Sequence, residues 1–370
     1  MRIAQVAPLY ESVPPQMYGG TERVVSYLTE EFVRRGHDVT LYASADSKTA
    51  ACLVPCAPVG LRLDPEIKDP TAPHLVMLEQ VAHDAADFDV IHYHTDYLHY
   101  PLSRRAGTVH LTTLHGRLDL PELAPLYKEY RDMPLVSISQ NQRIPLPWAN
   151  WMATIYHGLP LDCATVQETP GDYLAFLGRV SPEKRLDWAI EIARDAGFPL
   201  KVMAKVDQVD ESYYQSKIRP LLEDADVEFV GEGGDAQKFP LLAGARALLF
   251  PIDWPEPFGL VMIEAMAVGT PVIAFPNGSV PEVIDNGVTG FIVKDTKEAA
   301  AMVDRTVELD RRRIRRTFEE RFSVERMVDE YEELYQALAT RGEVKVYSIP
   351  KRAAGSSRRQ QAGAAAGKQV

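Results

Sequence analysis

Short apolar runs alternating with segments of helical periodicity fill most of this chain, and they come in two consecutive series. RIAQVAP (2–8), DVTLYAS (38–44), DVIHYH (89–94), VHLTTLH (109–115), LVSIS (135–139) and ATIYHG (153–158) form the first. After a Pro-, Gly- and acid-rich break near 167–172, YLAFLG (173–178), LKVMAK (200–205), VEFVG (227–231), RALLFP (246–251), PVIAF (271–275) and GFIV (290–293) form the second. Helical patterns separate the runs. ERVVSYLTEEFVRRG brings Val24, Val25, Leu28 and Phe32 round at helical spacing, with Thr21 placed to cap the start and Gly36 to end it. Others cover 184–197, 210–224 and 258–268. Strand and helix alternating at this spacing is the signature of the α/β class with parallel, doubly wound sheets. A chain of 370 residues exceeds what one core of about 250–300 residues can hold. Two Rossmann-like domains in tandem are therefore expected. Ligands of such sheets sit at the carboxyl ends of the strands, so two facing domains would share one cleft.

The expected boundaries are 1–165 for the first Rossmann-like domain and 166–322 for the second. In 323–342, Met327, Tyr331, Leu334 and Leu338 are spaced for the buried face of a terminal helix, expected to pack back towards the first domain. The remainder, 343–370, is small, polar and basic and is expected to be a disordered tail. Net charge is −12, and the last twenty residues contribute +5, so the folded body carries about −17. Such a body argues against nucleic acid as a partner, because a phosphate backbone needs a basic face. Cys52, Cys56 and Cys163 are too few for a disulfide framework or a zinc site. No signal segment and no run of eighteen apolar residues is evident, which makes the cytoplasm the expected location.

The chemistry concentrates in ALLFPIDWPEPFGLVMIEAMAVGTPVIAF. A strand enters a loop of Pro and aromatic residues, and a helix starts near Phe258. Gly259, Leu260 and Val261 would place their amides in that helix's first turn. Orphan donors and the positive end of the helix dipole make such a turn a place for a diphosphate. Glu264, one to two turns further on, would reach hydroxyls one sugar away, such as a ribose. Glu256, in the loop, would face the other end of a nucleotide sugar. Arg179 ends the first strand of the second series and Lys184 follows a turn at a helix start. Two fixed cations could stabilise a departing diphosphate without a metal. In the first series Gly19 and Gly20 let backbone approach a ligand closely, and His115 closes a strand at the cleft.

The Glu256–Glu264 pair within EPFGLVMIE, followed by AMAVGTPVIA, resembles the donor-site signature of family 4 retaining glycosyltransferases, which have the GT-B fold. The resemblance extends to YGGTERVV (18–25), GRVSPEKR (178–185) and GSVPEVIDNGVTGFIV (278–293), and so covers the chain to about residue 340. It implies that Glu264 bonds the ribose hydroxyls and that Glu256 bonds hydroxyls of the donor sugar. Backbone donors from Phe258, Gly259 and Leu260 would lie nearby. It further implies that Arg179 and Lys184 hold the leaving diphosphate. His115 would sit beside the donor sugar near the anomeric carbon, in a positioning or electrostatic role.

Three other motifs have blander explanations. His92, His94 and Asp96 have metal-ligand spacing on one strand face, but no further ligands accompany them. GEGGDA (231–236) matches a dinucleotide fingerprint, yet it does not follow a first strand, and Pro240 is expected to interrupt the next helix. Family relatives carry a polar residue and an acid where this chain has Gly233 and Gly234. The arginine-rich helix at 310–322 reads as a solvated face with local ion pairs, with contact to a partner or an anionic membrane surface as the sharper option.

The expected activity is transfer of a hexosyl unit from a nucleoside-diphosphate sugar, UDP-glucose as first guess, to a hydroxyl acceptor with retention of configuration. No metal and no cofactor are expected. The acceptor could be a glycan, a lipid-linked sugar or a small molecule in polysaccharide or glycoconjugate synthesis. The rivals are a GT-B relative with phosphorylase or sugar-nucleotide epimerase chemistry and a nucleotide-sugar binder without turnover.

Overall fold

The computed structural model describes residues 1–17, 19–223 and 226–340. The basic tail expected at 343–370 lies outside the described residues. Two all-parallel sheets carry the chain. The first contains β1 (Arg2–Val6), β2 (Asp38–Ser44), β3 (Cys52–Ala57), β4 (Val90–Tyr93), β5 (His110–Thr113), β6 (Leu135–Ser137) and β7 (Trp151–Thr154) in the order β3-β2-β1-β4-β5-β6-β7. The second contains β8 (Leu174–Arg179), β9 (Leu200–Lys205), β10 (Val227–Gly231), β11 (Ala247–Phe250), β12 (Val272–Ala274) and β13 (Gly290–Ile292) in the order β10-β9-β8-β11-β12-β13. Strands such as β11 are buried on both faces and read as an unbroken apolar run, whereas β1, β4 and β5 also bury Gln5, His92, Thr112 and Thr113. In each sheet the order reverses beside the first strand, between β1 and β4 and between β8 and β11. A crevice opens at that switch, and the two crevices face each other.

Five helices matter for the site: α1 (Gly20–Arg34), α2 (Asp235–Ala243), α3 (Leu260–Ala267), α4 (Arg311–Arg321) and α5 (Val324–Thr340). α5 leaves the second half and packs on the first sheet. Val324, Met327, Val328, Tyr331 and Tyr335 bury themselves with Ile3, Val24, Leu28, Phe32 and Val90. Five such side chains contribute on the order of 10 kcal/mol before ordering costs are set against them. The segments crossing between the halves run side by side, with Leu159 and Val324 exchanging backbone bonds with Phe322 and Leu159. The Glu282 carboxylate also spans the halves, accepting from the amides of Gln140 and Asn141, both at 2.7 Å. Among the described residues no helix is long and apolar enough to cross a membrane.

The structure departs from the sequence-based expectation in four places. β3 was not anticipated, because CLVPCA is a half-exposed edge strand whose Pro55 is tolerated only at an edge. Gly19, not Thr21, occupies the N-cap of α1, and Thr21 lies within the helix. α2 runs through Pro240 instead of stopping there. The arginines of α4 are not merely a solvated face. Arg311 donates to the carbonyls of Ala245 and Ala243, both at 3.0 Å, and Arg315 donates to that of Ala267 at 2.6 Å, at the negative end of α3.

Candidate active site

β11 delivers the chain into the loop 251–259, and two close approaches fix that loop's shape. Gly259 turns it into α3 at φ 79°, where a Cβ would press on Met262 and Phe250. Gly278, at φ 60°, lies so close that a Cβ would come within 2.2 Å of the Glu256 nitrogen. Its neighbours complete the clamp. Ser279 donates its hydroxyl to the Phe258 carbonyl at 2.6 Å, and Asn277 donates to that of Ile252 at 2.7 Å. Glu256, 8% exposed, is thereby held against Lys184, with which it forms an ion pair. Trp254 donates its indole N–H to the same carboxylate oxygen at 2.9 Å, and the Lys184 ammonium lies 5.2 Å from the centre of the Trp254 ring. The first-turn amides of α3, those of Leu260 and Val261, open towards the same space.

Glu264, on the second turn of α3, is 6% exposed and is not a solvated helix carboxylate. Lys238 of α2 donates to it at 2.5 Å and to Asp235 at 2.7 Å. Asp235 in turn pairs with Arg23 of α1, across the space between the halves.

The first half supplies the opposite wall. Gly19 and Gly20 line it at the start of α1, and Gly20 lies against Leu260 of α3. His115 follows β5 and keeps one edge open to the cleft. It lies deep enough that burial pushes its imidazole down to about 3. His94 bonds it through Nδ1 to Nε2 at 2.9 Å, and His157 stacks on it with ring centres 5.3 Å apart. Burial, followed by neighbouring imidazoles, holds His94 and His157 well below the usual histidine range. His157 also meets Phe258 edge-on at 4.9 Å, so the two walls touch here. Further out, Tyr10, Tyr97, Asp96 and Arg62 line the same wall. Together the walls enclose about 660 Å³, within the roughly 300–1,000 Å³ typical of small-ligand sites.

The structure brings Gly19, Gly20, His115, Lys184, Glu256, Phe258, Gly259, Leu260 and Glu264 to this one cleft. It does not bring Arg179 to them. That guanidinium turns to an acidic cage, 3.2 Å from Asp210, 3.3 Å from Glu183 and 3.9 Å from Asp207. The metal-like spacing of His92, His94 and Asp96 does not become a site. His92 turns into the core and bonds Tyr335 and Thr113, and Asp96 leaves the strand in the left-handed region at φ 50°. Among the described residues no cluster of three His, Cys, Asp or Glu is placed to hold a metal. Sequence reasoning missed Arg23, Asp235, Lys238, Trp254, His157 and Ser279. A usable signal existed for His157, which closes its apolar run as His115 does. Lys238 is one polar residue among several at a helix start, and its burial follows from tertiary packing alone.

Two family models match the chain, "Glycosyltransferase Family 4" over residues 18–157 and "Glycosyl transferases group 1" over residues 165–321. An O-antigen chain mannosyltransferase C from Escherichia coli is 24% identical across 90% of this chain and 98% of its own. A D-inositol 3-phosphate glycosyltransferase from Nocardia farcinica is 34% identical over 40% of this chain and 35% of its own. Among solved structures, AviGT4, a glycosyltransferase involved in avilamycin A biosynthesis, superposes with a TM-score of 0.71 at 24% identity, covering 92% of this chain and 98% of its own. Anabaena HepE, solved in complex with UDP-glucose, gives a TM-score of 0.71 at 18% identity, covering 91% of this chain and all of its own. Two facing Rossmann-like domains with a shared cleft are the GT-B fold, and the matching family models make this chain a glycosyltransferase of the family 4 type.

Proposed function

We propose that this enzyme transfers a hexosyl unit from a nucleoside-diphosphate sugar to a hydroxyl acceptor with retention of anomeric configuration. The observation that carries this is the line Lys184–Glu256–α3 N-terminus–Glu264. The Lys184 ammonium and the first-turn amides of α3 offer positive potential for a diphosphate. Glu264 lies four residues beyond Leu260, about 6 Å further along the helix, within reach of a ribose. Glu256 lies on the other side of the amides, where the transferred sugar would sit. UDP-glucose is the first donor to try, and the complex of Anabaena HepE supports that choice.

In this mechanism the leaving diphosphate departs against Lys184 and the α3 amides, with no metal. Arg179 joins them by exchanging its acidic cage for phosphate. The acceptor hydroxyl enters on the leaving group's own face and gives its proton to the departing phosphate. His115 stays neutral and positions the sugar. The acceptor, whether glycan, lipid-linked or small molecule, rests on the first-half wall near Tyr10, Tyr97 and Asp96. The setting is polysaccharide or glycoconjugate synthesis in the cytoplasm. The exposed arginines of α4, Arg312, Arg313 and Arg316, are available to an anionic membrane surface.

A thermal-shift screen of UDP-, GDP- and ADP-sugars is the direct test, since a ligand that binds the native state raises its apparent stability. A shift is expected with one nucleotide class. NMR of the product anomer then reads retention. No shift with any of them, or an inverted product, would sink the proposal.

A further inference from the structure

Arg23, Asp235, Lys238 and Glu264 form one continuous line of alternating charge that starts in the first half and ends in the donor site. Arg23 is 7% exposed and is steadied by donating to the Met17 carbonyl at 3.0 Å. It pairs with Asp235. Lys238, 9% exposed, stands between Asp235 at 2.7 Å and Glu264 at 2.5 Å. The four charges sum to zero, which allows Arg23, Lys238 and Glu264 to be buried beside Asp235, whose side chain stays 39% exposed at the edge of the line. Remove Arg23 and one ammonium is left to serve two carboxylates. Asp235 lies three residues from Lys238 on the same helix, so local geometry favours that pair over Glu264. Glu264 would then lose the partner that fixes its orientation. The loop ahead of α2 also approaches the first half closely, since a Cβ on Gly234 would come within 3.2 Å of the Gln16 carbonyl.

We propose that Arg23 is a positioning residue for the donor ribose, acting across the cleft through Asp235 and Lys238 on Glu264. The preference for ribo- over deoxyribonucleotides is then set partly by the half that does not hold the nucleotide. The inference rests on the reading above that Glu264 takes the ribose hydroxyls.

The test is calorimetric binding of UDP, GDP and ADP, each with its 2′-deoxy counterpart, to the full chain and to Arg23→Ala and Arg23→Lys. The wild type is expected to bind the preferred ribonucleotide about tenfold tighter than its deoxy form, the size of one lost charge-assisted hydrogen bond. In Arg23→Ala the ratio should shrink to about twofold, with affinity for the deoxy form nearly unchanged. Arg23→Lys, which keeps the charge, should retain most of the ratio. A merely structural role would weaken both nucleotides alike and leave the ratio intact, and that result overturns the inference. Failure of the wild type to bind any of the ribonucleotides would instead overturn the donor-site reading beneath it.

Discussion

All nine histidines lie in the first 157 residues, and the second half has none. The surroundings of His115 and those of Glu256 bury polarity by different means. In the first, neutral groups form one hydrogen-bonded chain. Tyr331 meets Thr113 at 2.8 Å, Thr113 meets His92 at 2.7 Å, and His92 meets Tyr335 at 2.6 Å. Gln5 then joins Tyr335 at 3.2 Å to His94 at 2.9 Å, and His94 reaches His115. Around Glu256 and Glu264 the second half buries ion pairs, Lys184 with Glu256 and Lys238 with Glu264, beside neutral hydroxyls such as Ser279, and the first half adds buried charges of its own in Glu22, Arg23 and Glu31. A neutral imidazole is cheap to bury once bonded, whereas a charge must be paired. The difference suits a reaction with a diphosphate on one side and hydroxyls around a sugar on the other. In the proposed reaction Lys184 would face the anionic leaving group, and the neutral His115 would face the transferred sugar opposite Glu256.

Acid should separate the halves most strongly. Burial pushes His74, His92, His94, His99, His110, His115 and His157 below the ordinary 6.5. Their unfolded forms bind protons that the folded forms refuse. The associated stability is fully present above pH 6.5 and is lost as pH falls below it, by up to about 1.4 kcal/mol per pH unit for each fully buried imidazole. Glu11, Glu22 and Asp96, pushed up by burial, work the other way below pH 7 but are outnumbered. Hydrogen exchange at pH 7.5 and pH 5 should therefore show the first sheet losing protection while the second keeps it. Equal loss in both would break the comparison.

The charged half should fail in turnover instead. Lys184→Ala is expected to lower kcat by about 100- to 1,000-fold, the usual effect of removing one preorganised charge partner. Glu256→Gln should cost less, because Trp254 still donates to the remaining oxygen. Steady-state kinetics with the donor found by thermal shift checks both. Undiminished turnover in both variants would remove Lys184 and Glu256 from the mechanism.

β11 was legible in the sequence because burial on both faces leaves an unbroken apolar run, while β1, β4 and β5 were legible from apolar runs that carry a few buried polar residues such as Gln5, His92 and Thr113. β3 was not, because an edge strand is under no such demand. In the site, legibility followed the backbone. Gly259, Leu260 and Glu264 could be placed because a helix start fixes where their groups lie. The partners could not. Lys238, Asp235 and Arg23 come from segments up to 241 residues away from Glu264, and only packing brings them together. Arg179 shows the complementary limit: its strand position was foreseen, but not that Asp207, Asp210 and Glu183 would hold its side chain.

Gly278→Ala sharpens the comparison without touching a charge. The new Cβ would fall 2.2 Å from the Glu256 nitrogen at a backbone angle that disfavours alanine. A loss of about 1–3 kcal/mol is expected from strain of this kind. The shift should be confined to the 251–259 loop, so kcat falls about tenfold, reflecting displacement of Glu256 rather than loss of fold. A thermal melt and kcat measured together check this. An alanine tolerated in both would mean the clamp does not set the loop.

The smallest expected effect probes the neutral half. Gln5→Leu removes the link between Tyr335 and His94 and leaves both without that partner, at a cost of about 1–3 kcal/mol in stability. His115 then loses the far end of the chain that orients it, while Lys184, Glu256 and Glu264 are untouched. The variant should therefore show kcat lowered by a few fold and a donor KM that does not move. Tyr335→Phe, which keeps the ring packed on Phe32, should give the same pattern at a smaller size. If donor KM rises instead and kcat holds, the imidazole chain supports donor binding, and the division of labour between a neutral and a charged wall is wrong.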